Sequence, residues 1–269
     1  MKKSNFATKA IREGNHVTEE QEHSSAIFLT SSYQFESAEQ AADRFKNKKK
    51  GNVYSRFTNP TVDSFQEKLA ALEGAEKCQA TASGMSAIFA TIMTLLKPGE
   101  HMVASRCMFG TTIVLLNSII EKFEIKITFV DLADIDAWEK SVQKNTKLFL
   151  LETPSNPLGE VVDIEKLSTI SKKNNIVLAV DNCIMTPALQ KPIALGADLV
   201  IHSATKYIDG QGRCLAGAIA GSSSLIDEIS AFTRSTGPTL SAFNAWVVLK
   251  GLETLKIRME THCKSANEL

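Results

Sequence analysis

Three short stretches carry reactive groups just beyond apolar runs. Lys147–Leu151 is followed by Glu152-Thr153-Pro154-Ser155-Asn156-Pro157, Ile176–Val180 by Asp181-Asn182, and Leu199–Ile201 by His202-Ser203-Ala204-Thr205-Lys206-Tyr207. An acid one residue past a buried strand is costly to desolvate unless a cation meets it. Lys206 stands five residues past the next strand, at the same sheet edge. Taken alone, Asp181 and Lys206 would read as an ion pair. Ser203 and Thr205 change that reading, because their spacing lets both hydroxyls reach one anion beside the lysine stem.

A second anion cradle lies at Thr81-Ala82-Ser83-Gly84-Met85, a small-residue turn opening a helix expected over Met85–Leu96. Backbone N–H groups at a helix start point toward a phosphate, and the helix dipole favours its charge. By itself Ser-Gly-Met is more often a helix cap. Joined to Lys206, Asp181, Ser203 and Thr205, it describes a site for pyridoxal 5′-phosphate. The lysine amine would form a Schiff base with that cofactor. The aspartate would keep the pyridine nitrogen protonated, so that the ring accepts electrons.

Buried strands and helices must hold these groups in position. Pro60–Leu72 reads as a helix, with Pro60 in its first turn and Gly74 just past its end. Met85–Leu96 is stopped by Pro98-Gly99. His101–Ala104, Lys126–Val130, Lys147–Leu151, Ile176–Val180 and Leu199–Ile201 are short strand-like runs rich in Val, Ile, Leu and Phe. Helices are expected between most of them, over Thr112–Lys122, Ile135–Gln143 and Ile164–Asn174. Ser224 is the expected N-cap of a further helix reaching about Thr233. Nearly all-apolar strands alternating with helices predict an α/β fold, a mostly parallel sheet flanked by helices. Ligands of such sheets sit beyond the carboxyl ends of the strands, where the reactive stretches lie.

Composition narrows the function further. The 269 residues carry 30 Lys+Arg against 30 Asp+Glu, so no global charge points to nucleic acid or to an anionic membrane. Apolar residues at 43% and charged residues at 22% are ordinary for a soluble globular protein, not a disordered one. The longest apolar runs fall far short of the roughly 20 residues that span a bilayer. Ser4, Asn5, Thr8 and Lys9 interrupt any apolar run after Met1-Lys2-Lys3, so no secretory signal is read there. Cys78, Cys107, Cys183, Cys214 and Cys263 are odd in number and show no CxxC pairing. They suit reduced thiols in the cytoplasm, not a disulfide framework or a metal site, and Cys183 and Cys214 are expected as small buried hydrophobes. Lys46-Asn47-Lys48-Lys49-Lys50 reads as a solvated loop. No G-x-G-x-x-G follows the early strands, which argues against a nicotinamide-binding enzyme.

From about Ala26 to its last residue the sequence resembles the Cys/Met-metabolism family of pyridoxal-phosphate enzymes. The motif Tyr54-Ser55-Arg56-Phe57-Thr58-Asn59-Pro60-Thr61 is similar to a family loop that reaches into a neighbouring subunit. The resemblance implies that Tyr54 and Arg56 bind the neighbour's cofactor phosphate in a homo-oligomer, at least a dimer and by family precedent a tetramer. It also implies that Asn156 approaches the cofactor's 3′ oxygen, that Asp181 partners the ring nitrogen and that Lys206 is the Schiff-base lysine. The implied fold is the large domain of fold type I. Residues 1–51 would be an N-terminal arm and 52–238 the cofactor-binding domain. Residues 239–269 would be a connecting helix and the start of a shortened C-terminal domain. In the family that further domain binds the substrate α-carboxylate, and no residue here is assigned to the role.

Two departures from the family pattern refine the expectation. The family commonly stacks a tyrosine on the cofactor ring, whereas Met108-Phe109-Gly110-Thr111-Thr112 offers Phe109, a stacking face without a hydroxyl. The segment Tyr207-Ile208-Asp209-Gly210-Gln211-Gly212-Arg213 differs from the synthase and lyase versions. Both variants resemble the O-succinylhomoserine sulfhydrylase branch, which implies γ-replacement on a homoserine ester by sulfide, giving homocysteine and succinate. Cystathionine γ-synthase and O-acetylhomoserine sulfhydrylase are the alternatives within the family. Cofactor binding without turnover is the alternative outside enzymology.

Overall fold

The computed structural model describes residues 5–46 and 48–269. The apolar runs form a single seven-stranded sheet from β1 (Lys77–Thr81), β2 (His101–Ser105), β3 (Lys126–Val130), β4 (Thr146–Glu152), β5 (Val177–Asp181), β6 (Leu199–His202) and β7 (Gly217–Gly221). Their order across the sheet is β1-β7-β6-β5-β4-β2-β3. Strands β2 to β6 pair in parallel, as their apolar character on both faces requires, while β7 runs antiparallel to both β6 and β1. The sequence reading anticipated neither β1 nor β7. Strand β1 alternates Lys77 and Gln79 with Cys78 and Ala80, and β7 is Gly-Ala-Ile-Ala-Gly, which carries little strand propensity. Close packing explains the small residues of β7. A Cβ at Gly217 would lie 2.1 Å from the Ser83 carbonyl oxygen, and one at Gly221 would lie 2.6 Å from that of Asp198.

Eleven α-helices are described: α1 (Phe6–Arg12), α2 (Ala38–Phe45), α3 (Pro60–Glu73), α4 (Gly84–Leu95), α5 (Gly110–Ser118), α6 (Ile135–Lys140), α7 (Ile164–Lys173), α8 (Thr186–Leu189), α9 (Ser223–Thr236), α10 (Ala242–Glu253) and α11 (Leu255–Glu268). The sheet alternation sends successive side chains to opposite layers. Met102, Leu148, Leu150, Ala179 and Ile201 pack with α4, α5 and α9 on one face. Val103, Phe149, Leu151, Leu178 and Val180 pack on the other with α6 and α7, and α3, α10 and α11 continue that layer over β1 and β7.

Several boundaries differ from the sequence expectation, and α6 stops at Lys140, short of the expected Gln143. The helix predicted over Thr112–Lys122 divides into α5 and a 3-10 turn at Ile120–Phe123. The N-cap of α9 is Ser222, whose Oγ accepts from the Leu225 amide, and not Ser224. That helix runs past Thr233 because its stop is Gly237, held at φ 91 in the left-handed conformation glycine tolerates. Near the N-terminus, α1 buries Ala10 against α3 and α10. The lysines at 46, 48, 49 and 50 are exposed, and Met1–Ser4 and Asn47 lie outside the described residues.

Candidate active site

A cavity of about 220 Å³ opens beyond the carboxyl ends of β4, β5 and β6. Ser83, Gly84, Met85, Phe109, Asn156, Asp181, Ser203, Thr205 and Lys206 all line it, joined by Ile88, Thr112, Glu152, Cys183 and Leu215. Two larger clefts, of about 860 Å³ between α3 and α9 and about 420 Å³ beside α5 and β3, hold none of these residues. Tyr54 and Arg56 also stand apart from the cavity. An Arg56 Nη1 hydrogen bond reaches the Arg234 carbonyl, and the guanidinium lies 4.8 Å from the Phe57 ring centre.

Local structure explains each position. Strand β6 ends at His202, and a tight turn follows in which the Lys206 amide donates to Ser203 O at 3.2 Å and the Asp209 amide to Ala204 O at 2.9 Å. Thr205 Oγ1 is committed to the backbone. It donates to Ala216 O at 3.1 Å and accepts from Ala216 N at 3.0 Å, which fastens the turn to the strand beside it. Lys206 is exposed, and among the described residues its amine joins no ion pair. Helix α4 starts against this turn. Ser83 caps it through the Ser86 amide at 3.1 Å, and a Cβ at Gly84 would fall 2.7 Å from Ser203 Cβ. The first-turn N–H groups of α4, which a helix cannot satisfy internally, therefore open onto the cavity beside Ser203.

Two carboxyls meet at the opposite wall. Glu152 ends β4 and Asp181 ends β5. Burial pushes Asp181 up to about 6, against the pull of the Cys183 amide at 3.0 Å and of His202. Glu152 is pushed up to about 7, chiefly by burial and then by the charge of Asp181, although it accepts from the Phe109 amide at 2.8 Å. The Cys183 thiol is pushed up to about 12 by burial and by Asp181, so it stays protonated at neutral pH.

The sequence reading missed a network behind the cavity wall. His202 Nε2 lies 2.6 Å from Glu73 Oε1 at the end of α3, and both side chains are fully enclosed. Asn182 Nδ2 donates to the same oxygen at 3.2 Å, and Gln190 Nε2 donates to Asn182 Oδ1 at 3.0 Å and to Thr153 O at 2.9 Å. Glu73 thus ties together the ends of β5 and β6, and Gln190 extends the network to the end of β4. The signal for it was a histidine and an acid at the margins of apolar segments. Thr112 could also have been found, one helical turn after Phe109.

The assembled features define what the site can hold: an anion at the start of α4, a cation against Asp181, and a carbonyl carbon within reach of the Lys206 amine. Among the described residues no group of three or more His, Cys, Asp and Glu could hold a metal ion, and no helix is long and apolar enough to cross a membrane.

The sequence profile of the family described as Cys/Met metabolism PLP-dependent enzyme matches residues 7–269. An O-succinylhomoserine sulfhydrylase from Pseudomonas aeruginosa is 55% identical over 97% of this chain, and the chain spans 65% of that protein's length. An L-methionine gamma-lyase from Fusobacterium nucleatum is 40% identical across the whole chain, which covers 69% of it. A solved structure of a putative O-acetylhomoserine (thiol)-lyase from Campylobacter jejuni superposes with a TM-score of 0.94 at 33% identity. It covers 98% of this chain, which spans 74% of it, and carries N′-pyridoxyl-lysine-5′-monophosphate at its position 205.

Proposed function

This chain belongs to the Cys/Met metabolism family of pyridoxal-phosphate-dependent enzymes, and we propose that it carries the cofactor site of an O-succinylhomoserine sulfhydrylase. The reaction is γ-replacement: sulfide displaces succinate from the activated homoserine, and homocysteine leaves. The observation that carries the reading is one cavity at the strand ends lined by an exposed lysine, a half-buried acid and the start of a helix. Pyridoxal phosphate fits those features part by part. The phosphate suits the α4 N-terminus with Ser83, Gly84, Met85 and Ser203 around it, beside Thr205, whose hydroxyl proton is directed to Ala216 O. The ring nitrogen suits Asp181, whose burial favours a cationic partner. The aldehyde carbon suits Lys206, and Asn156 and Phe109 are the residues for the 3′ oxygen and the ring face.

When bound, the cofactor supplies a protonated ring that withdraws electrons from the substrate's α-carbon. Asp181 holds the proton at the ring nitrogen. Lys206 takes the proton from Cα and serves as the base in the transfers that follow. Phe109 brings no hydroxyl, so proton movement on that face does not pass through it. Cys183 contributes packing, because its thiol stays protonated. Tyr54 and Arg56 lie outside this chain's cavity and serve the phosphate of a neighbouring subunit, so two chains complete each site.

The 55% identity to a sulfhydrylase and the absence of a hydroxyl at position 109 favour γ-replacement over methionine elimination, despite relatives of 40% identity named as methionine gamma-lyases. The test supplies the cofactor-loaded protein with O-succinyl- or O-acetylhomoserine, each with sulfide or with cysteine, and measures succinate or acetate and the thiol product. Sulfide-dependent succinate release supports the proposal. Preferential use of cysteine, of the acetyl ester or of methionine would move the activity to another branch of the family. A visible cofactor band with no turnover would leave only cofactor binding.

A further inference from the structure

The two residues that follow Lys206 are gripped by helices from the far end of the sequence. From α11, Arg258 Nη1 donates to Tyr207 O at 2.6 Å, and Nη2 donates to Ile208 O at 3.2 Å. The same guanidinium donates to Gly251 O at 2.8 Å, where α10 ends, and through Nε to Thr254 Oγ1 at 3.1 Å. One planar cation thus joins the lysine turn to the α10–α11 junction, the fork geometry that arginine offers and lysine does not. His262, one turn further along α11, packs edge-on against the Tyr207 ring with centres 5.3 Å apart. Asp209 is fully buried and holds the Arg213 Nε at 2.8 Å.

The fit leaves no slack. A Cβ at Gly251 would lie 2.1 Å from Ile208 O, and one at Gly210 would lie 2.2 Å from Arg258 Nη1. Gly210 also sits at φ +73, so its backbone is shaped around the guanidinium. Lys206 itself is exposed, while the residues that follow it, Tyr207, Ile208 and Asp209, are clamped. A side chain held only by its own backbone inherits the rigidity of that backbone.

We propose that Arg258 is a positioning residue for Lys206, fixing the turn so that the amine stays directed into the cavity that Asp181 lines. The inference rests on the reading of Lys206 as the cofactor lysine. Arg258 touches neither cofactor nor substrate in this account and acts through the carbonyls of Tyr207 and Ile208.

Two measurements test it. The first uses cofactor-free protein and amide hydrogen exchange across residues 203–210, comparing wild type, Arg258→Gln and Leu167→Ala. Leu167 is buried in a separate core cluster, under α7, that includes no residue of the turn, so its truncation lowers global stability without touching the turn. Arg258→Gln is expected to speed exchange at the amides of Lys206, Asp209 and Gly210 by about tenfold or more relative to the β5 amides. Leu167→Ala is expected to change both in proportion. The second uses loaded protein: Arg258→Gln should weaken cofactor binding by about tenfold at a thermal midpoint matched by Leu167→Ala, and Arg258→Lys should recover only part of it. Should Arg258→Gln not fold, Arg258→Lys carries both comparisons. Turn exchange that rises no more than the global loss, or cofactor affinity that tracks stability alone, would overturn the proposal. A wild-type chain that forms no visible cofactor band would count against the Lys206 reading instead, while the exchange comparison still decides the clasp.

Discussion

Glu152 and Asp181 are in-register partners at the carboxyl ends of adjacent parallel strands, so two acids share one cavity wall. Both are held above the ordinary range, Asp181 at about 6 and Glu152 at about 7, with burial as the leading cause in each. Both therefore bind their protons more tightly folded than unfolded. Their contribution to stability is full below about pH 4 and is lost as the pH rises through about 6 and then 7. In cofactor-free protein we expect Asp181→Asn and Glu152→Gln each to flatten the fall in stability between pH 5 and pH 8. Asp181→Asn should exceed wild type at pH 8 by about 1–3 kcal/mol. Urea midpoints at the two pH values check this, and a fall indifferent to both substitutions would refute the shared-wall account.

Gly84 carries a steric prediction. Gly84→Ala drives a Cβ to within 2.7 Å of Ser203 Cβ and 2.9 Å of Ser203 Cα, and backbone must yield on one side. We expect a stability loss of about 1–3 kcal/mol together with weaker phosphate binding. Gly110→Ala, with nothing within 4 Å of the new atom, should stay within about 0.5 kcal/mol of wild type. Equal losses from the two changes would mean that the approach of α4 to the lysine turn is not what glycine serves.

The Glu73–His202 pair predicts a larger effect. Glu73 Oε2 and His202 Nδ1 are buried without a partner among the described residues, so the pair depends on its single close contact and on Asn182. Removing the carboxylate with Glu73→Ala strands a buried imidazole and should cost about 3–5 kcal/mol, whereas Glu73→Gln, which keeps an acceptor, should cost less. Chemical denaturation of the three proteins measures it. A loss under about 1 kcal/mol for Glu73→Ala would show that the strand ends are tied by other means.

The parallel centre of the sheet was legible because buried parallel strands must be apolar on both faces, and runs such as Ile176–Val180 declare themselves. The flanking strands were not. Lys77 and Gln79 interrupt β1, and the selection pressure on β7 is steric closeness to Ser83 and Asp198, which no propensity scale records. The same contrast holds in the cavity. Lys206, Asp181 and the Ser83-Gly84-Met85 turn could be gathered from one rule, that sites form beyond parallel strand ends. Glu73 and His202, 129 residues apart, and Arg258 with Tyr207, 51 apart, meet only through tertiary packing. The cap at Ser222 was misjudged because three consecutive serines offer equivalent hydroxyls, and the turn alone selects among them.

The most direct measurement is to load the protein with pyridoxal phosphate, reduce it with borohydride and map the modified peptide by mass spectrometry. The account predicts a single pyridoxyl group on Lys206, and loss of both the adduct and the visible band in Lys206→Ala. An adduct on another lysine, or a Lys206→Ala protein that keeps its band, would contradict it.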